Sequence, residues 1–168
     1  MFLQVRSVAG VPAHPLVVHA AVILVPLAAI GILATGWRPA WRKPFAIPLL
    51  AIALAGAIFA IVAVQTGEPL EHDVRDAARN AGVQARFGDH PEQGETAQVF
   101  AIILAAATAG YAGVVLYGER MNLPSWSGTA AYGAVLIPAL LATGFMIVAG
   151  HSGAQLVWKD VGSFAAGG

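Results

Sequence analysis

LVVHAAVILVPLAAIGILAT, residues 16–35, contains no Asp, Glu, Lys or Arg, and His19 is its one ionisable side chain. At 1.5 Å per residue a helix of this length crosses a hydrocarbon core of ~30 Å. A soluble amphipathic helix would show a polar face at a period of 3.6 residues, and no such face is present. The run therefore reads as a membrane span. It is longer than the apolar region of a secretion signal, a single Arg (Arg6) precedes it, and no good small-residue cleavage site follows, so a retained span is expected rather than a cleaved leader.

Working outward, residues 47–64, 99–116 and 130–148 repeat the pattern. Small residues four apart, as in Ala105-Ala106-Ala107-Thr108-Ala109-Gly110-Tyr111-Ala112-Gly113, let neighbouring helix backbones approach. Pro26 and Pro138 lie inside the first and fourth runs, where bundle neighbours can satisfy the carbonyl that proline frees. The composition agrees: 58% of the 168 residues are hydrophobic and 11% charged, and the mean hydropathy is +0.71. The expected fold is all-α, an integral membrane four-helix bundle running up-down-up-down, with residues 1–168 as one membrane domain. No internal repeat divides the chain.

Nine Lys and Arg balance nine Asp and Glu, which argues against nucleic acid or a strongly acidic partner. The absence of Cys removes thiolate chemistry, cysteine-ligated iron–sulfur clusters and covalent haem attachment. Charge is concentrated in one polar stretch, residues 68–95, with seven carboxylates and three arginines. Its segment 70–79 reads as a short surface helix, stopped by Asn80-Ala81-Gly82. Residues 163–168 read as a small disordered tail. With four spans, both termini and the polar stretch share one side. Arg38, Arg42 and Lys43 in the first short connector and Arg120 in the third favour cytoplasmic hairpins and extracytoplasmic termini, against Arg6, Arg75, Arg79, Arg86 and Lys159, which are spread over longer segments interrupted by acids. Trp37, Trp41, Tyr117 and Trp126 would then line the cytoplasmic interface and Trp158 the other.

The five histidines stand near span ends: His14 and His19 open the first, His72 follows the second, His90 precedes the third, and His151 closes the fourth. In an up-down bundle all five reach one membrane face. His14 and His19 are five apart, ~140° around a regular helix, so both can face one site only if His14 lies outside the helix. His14-Pro15 and His90-Pro91 also suit plain helix boundaries, and His72 suits a solvated face. An imidazole at the depth of His19 needs a partner.

Two ligand chemistries fit such a cluster. Haem b takes two axial histidines from facing helices, with His90 and His151 or His19 as candidates. Arg75, Arg79 and Arg86 are on the side where propionates would need cations, although a solvated charged face explains them as well. Zinc or copper would instead use His14, His19, His90 and His151, with Glu68 and Glu71 able to complete a set.

His14-Pro15-Leu16-Val17-Val18-His19, Thr66-Gly67, His90 and Gly150-His151-Ser152-Gly153 together resemble the membrane-protein family known as domain of unknown function 2231. The resemblance covers almost the whole chain, departing from the family pattern where Ser152-Gly153-Ala154 replaces a more glycine-rich stretch. Some relatives are joined to Rieske iron–sulfur domains, which implies electron transfer by association. Two functions are thus expected. One is a membrane electron-transfer protein or respiratory-type subunit with b-type haem near the extracytoplasmic face, working with a membrane redox partner or larger complex. The other is a non-enzymatic membrane subunit or zinc/copper-binding module. No nucleophile or acid–base pair for an enzyme is evident.

Overall fold

The computed structural model describes residues 7–8 and 11–166, with side chains over residues 13–158. A two-residue antiparallel ladder, β1 (Ser7–Val8) against β2 (Val11–Pro12), precedes four helices. These are α1 (Ala13–Trp37), α2 (Arg42–Asn80), α3 (His90–Tyr117) and α4 (Ser127–Ala166), with a 3-10 turn, Pro39–Trp41, leading into α2. All four are long and apolar enough to cross a membrane.

The packing is sorted by size rather than polarity. Ala21, Ala28, Ala53, Ala57, Ala101, Ala105, Ala139 and Ala142 are buried, while Ile23, Ile30, Ile58, Ile137, Leu140 and Ile147 are exposed. Lipid is as apolar as leucine, so nothing drives large side chains inward. Small residues inside let backbones close on one another and gain dispersion contacts. A few large groups fill the remaining volume, notably Val25, Ile32, Leu104 and Val135, with Phe100 stacked on Phe145 at 4.5 Å.

Each helix packs on its sequence neighbours, and α1 also packs on α4. His14 meets Ala63 just past the middle of α2, and His90 meets Ser152 in the second half of α4. At the opposite end Thr35 meets Tyr111, and Tyr132 meets Leu33. We call these the histidine end and the tyrosine end.

Two expected boundaries move. The second span and the surface helix 70–79 are one continuous α2 of 39 residues, despite Pro48 and Pro69. Pro69 removes one backbone hydrogen bond where the helix leaves the apolar run, and water can satisfy the freed carbonyl there. Likewise residues 163–166 of the expected tail are helical, as the end of α4. Arg6, Gly167 and Gly168 lie outside the described residues. Pro26 and Pro138 sit inside unbroken helices, as expected.

Candidate functional site

His14 is the second residue of α1, inside the helix rather than before it. Its Nδ1–H donates to the Ala63 carbonyl at 2.8 Å, an oxygen that also lies 3.1 Å from the Thr66 hydroxyl. One turn beyond Ala63 the ring rests on Gly67, where an added Cβ would come within 3.0 Å of its Cε1. A carbonyl can only accept, so the proton is on Nδ1 and the lone pair of neutral His14 is on Nε2.

His90 is built the same way from the other pair of helices. It opens α3, and its Nδ1 is 3.0 Å from Ser152 Oγ. Ser152 donates its own hydrogen to the Ala149 carbonyl at 3.0 Å. Its oxygen therefore accepts from His90 Nδ1–H, which again leaves the lone pair on Nε2. The next residue, Gly153, floors the ring: a Cβ there would stand 2.8 Å from His90 Cε1.

The two imidazoles meet across the bundle with ring centroids 6.3 Å apart and planes at 78°. One turn into α3, on the inward stripe that continues through Ala97 and Ala101, Gln93 buries an amide oxygen with no hydrogen-bond partner among the described residues. A buried acceptor without a donor is costly unless something else supplies one.

The other expected ligands are placed elsewhere. Because His14 is helical, the 140° offset applies to His19, which is exposed and hydrogen-bonded back to the Pro15 carbonyl of its own helix. His151 is also exposed. Its Nε2 accepts from the Gln155 amide at 3.0 Å, in a shallow hollow shared with Ala154 and Trp158. α4 presents Ser152 to His90, and the adjacent residue points ~100° away. The expected pairing of His90 with His151 is therefore replaced by His90 with His14. His72 pairs with Asp76 at 3.3 Å on the α2 extension.

Arg75 and Arg79 are exposed on that same extension, paired with Glu71 and Asp76 respectively, and Arg75 also lies over the Phe87 ring at 5.5 Å. Arg86 is exposed in the connector that follows. None of the three forms a hydrogen bond or ring contact with the His14–His90 pair. Among the described residues no group of three or more His, Cys, Asp or Glu is arranged to hold a metal ion.

Sequence reasoning passed over Ser152 and Gly153 as contributors, although both stand in the motif around His151. It also passed over Gln93, the amide nearest in sequence to His90 at the edge of an apolar run. A second polar cluster, at the tyrosine end, went unread. There buried Thr35 donates to the Ile32 carbonyl (2.8 Å) and accepts from the Tyr111 hydroxyl (3.1 Å). Tyr132 donates to Leu33 (3.4 Å), and Arg42 Nε reaches the Thr35 carbonyl (3.4 Å) while its guanidinium lies 4.9 Å over the Tyr132 ring. A tyrosine inside the small-residue run 105–113 was the available signal.

Residues 10–165 match the model of a family described as predicted membrane protein (DUF2231). No curated protein and no solved structure matches the chain.

Proposed function

Starting from the fact that the chain belongs to this family of predicted membrane proteins (DUF2231), we propose that it is a membrane electron-transfer protein holding a b-type haem between His14 and His90. The observation that carries this reading is the shared state of the two rings. Each is anchored through Nδ1–H to a protein acceptor, and each keeps an Nε2 lone pair. Anchoring of this kind is how metal-ligating histidines are oriented and made more basic.

The ring centroids are 6.3 Å apart, close enough for one bound group to touch both imidazoles. A b-type haem would be held by His14 and His90, histidine being a usual haem ligand. When bound, the haem supplies a one-electron couple. The chain's contribution is to fix both rings with Ala63 and Ser152, to seat them on Gly67 and Gly153, and to surround the site with an apolar bundle that disfavours extra charge.

A zinc or copper module is the second reading, and Gln93 favours it. Its unpartnered amide oxygen, one turn from His90, would give a bare ion a third donor beside two imidazoles.

One purification separates these. Protein isolated from haem-replete membranes should show a Soret band and one haem per chain, lost in His14→Ala and His90→Ala and kept in His19→Ala and His151→Ala. Stoichiometric zinc or copper without haem would select the second reading. Haem retained by both the His14 and His90 variants would overturn the first.

We further propose that the histidine end, with both termini, is extracytoplasmic, because Arg38, Arg42, Lys43 and Arg120 crowd the short hairpins and helix ends opposite, whereas Arg6, Arg75, Arg79, Arg86 and Lys159 are spread over longer, acid-interrupted segments. Reporter fusions after Arg42 and after Gly168 should report cytoplasm and exterior respectively. A swapped pair would reverse the orientation.

A further inference from the structure

The tyrosine end carries cations that no acid neutralises. Its two connectors and the first turn of α2 contain Arg38, Arg42, Lys43 and Arg120 against a single carboxylate, Glu119. That carboxylate reaches Lys43 at 3.7 Å, both groups being largely exposed, a pair that holds little free energy. Among the described residues no carboxylate is within ion-pair distance of Arg38 or Arg42.

Both guanidinium groups are nevertheless held in place. Half-buried Arg42 lies over the Tyr132 ring and reaches the Thr35 carbonyl through Nε. Arg38, just before the 3-10 turn that leads into α2, lies 5.2 Å over Trp41. Stacking of this kind orients a guanidinium plane and leaves its charge and terminal N–H groups available, the arrangement that suits bidentate binding of phosphate. Trp37 is 90% exposed beside them, a ring type that settles at headgroup depth. Below, exposed Phe45 touches Trp41 with ring centroids 5.9 Å apart, and exposed Phe59 lies near the same azimuth of α2.

We propose that Arg38 and Arg42 bind the phosphate of an anionic phospholipid, with Lys43 adding charge and Phe45 and Phe59 lying along an acyl chain. The exposed apolar track directly after the cations is what selects a lipid over free phosphate, which has no apolar part to place there. The site is separate from the histidine end and does not depend on what that end binds.

The test uses the full chain in detergent, delipidated and titrated with phosphatidylglycerol, phosphatidylcholine or inorganic phosphate, read by native mass spectrometry and thermal shift. Wild type should bind phosphatidylglycerol in preference to phosphatidylcholine. The preference should fall about fivefold for each arginine replaced in Arg38→Gln and Arg38→Gln/Arg42→Gln, the factor set by ~1 kcal/mol per cation at a charged surface. Arg75→Gln/Arg79→Gln, at the other end, should leave it unchanged. If loss of Arg42 disturbs Tyr132 and the double variant fails to fold, Arg38→Gln alone decides, since the Arg38 guanidinium stacks on exposed Trp41 only. Equal binding of the two lipids by wild type, an undiminished preference in Arg38→Gln, or inorganic phosphate stabilising as strongly as phosphatidylglycerol would each overturn the proposal.

Discussion

At the tyrosine end, polar groups close on one another: Tyr111 donates to Thr35, Thr35 to Ile32, Tyr132 to Leu33, and Arg42 covers the Tyr132 ring. At the histidine end the same kind of anchoring stops halfway. His14 and His90 each have one nitrogen engaged and one left as an acceptor, and Gln93 buries an oxygen with no donor among the described residues. Both clusters cross between helices at the two extremes of one alanine-rich core. Polarity inside a membrane bundle is therefore not by itself a sign of function. What distinguishes the Thr35–Tyr111 contact from the His14–His90 pair is how much of its hydrogen-bonding capacity the protein itself uses.

The contrast can be broken most forcefully at Tyr111, the largest fully buried side chain among the described residues. Tyr111→Ala should cost ~3–5 kcal/mol as a large-to-small core change, seen as a collapse of thermal stability with or without haem supply. A well-folded Tyr111→Ala that has lost only its bound group would move the tyrosine end into the functional site. Next in size is Ser152→Ala, which removes the acceptor of His90 Nδ1–H. Loss of such a supporting hydrogen bond typically weakens metal affinity ~10–100-fold. Haem content under limiting supply should fall, with the apoprotein melting temperature lowered by only the few degrees that a lost hydrogen bond costs; unchanged haem content would make His90 a structural residue.

Tyr111→Phe sharpens the comparison further, because it deletes one hydrogen bond and keeps the ring. A typical bond of this kind contributes ~1 kcal/mol, or about 2–4 °C in Tm for a chain of this size. Haem content should not change, and a lowered content would couple the two ends. The smallest effect is expected from replacing Arg75, Arg79 and Arg86 together with Gln. Exposed substitutions cost within ~0.5 kcal/mol each, and two of these arginines already pair with acids of their own helix. Haem retention should match wild type, and loss of haem would return the arginines to the site.

How far the site could be read ahead varied residue by residue. The position of His14, His90, His19 and His151 along their helices was legible, because each stands at the edge of an apolar run. Which of them face one another was not. His19 and His151 had stronger claims from depth and from small neighbours, yet both are exposed, while the two proline-flanked boundary histidines form the pair. The unresolved question was azimuth, and it depended on whether α1 begins before or after His14. Beginning at Ala13 turns His14 inward and His19 outward together.

The sequence by itself determined that four helices are long and apolar enough to span a membrane, where those runs lie, and that the histidines gather near span ends. Those properties depend on hydrophobicity summed along a run, which needs no knowledge of neighbours. The tertiary structure alone decided that α2 and α4 continue past their spans, that Ser152 rather than His151 meets His90, and that Thr35, Tyr111, Tyr132 and Arg42 form one cluster. In water a polar stripe announces which side of a helix faces out. Here lipid covers an equally apolar outside, so the inner face is marked by small size and by a few unsatisfied valences, and these acquire meaning only once the opposing helix is in place.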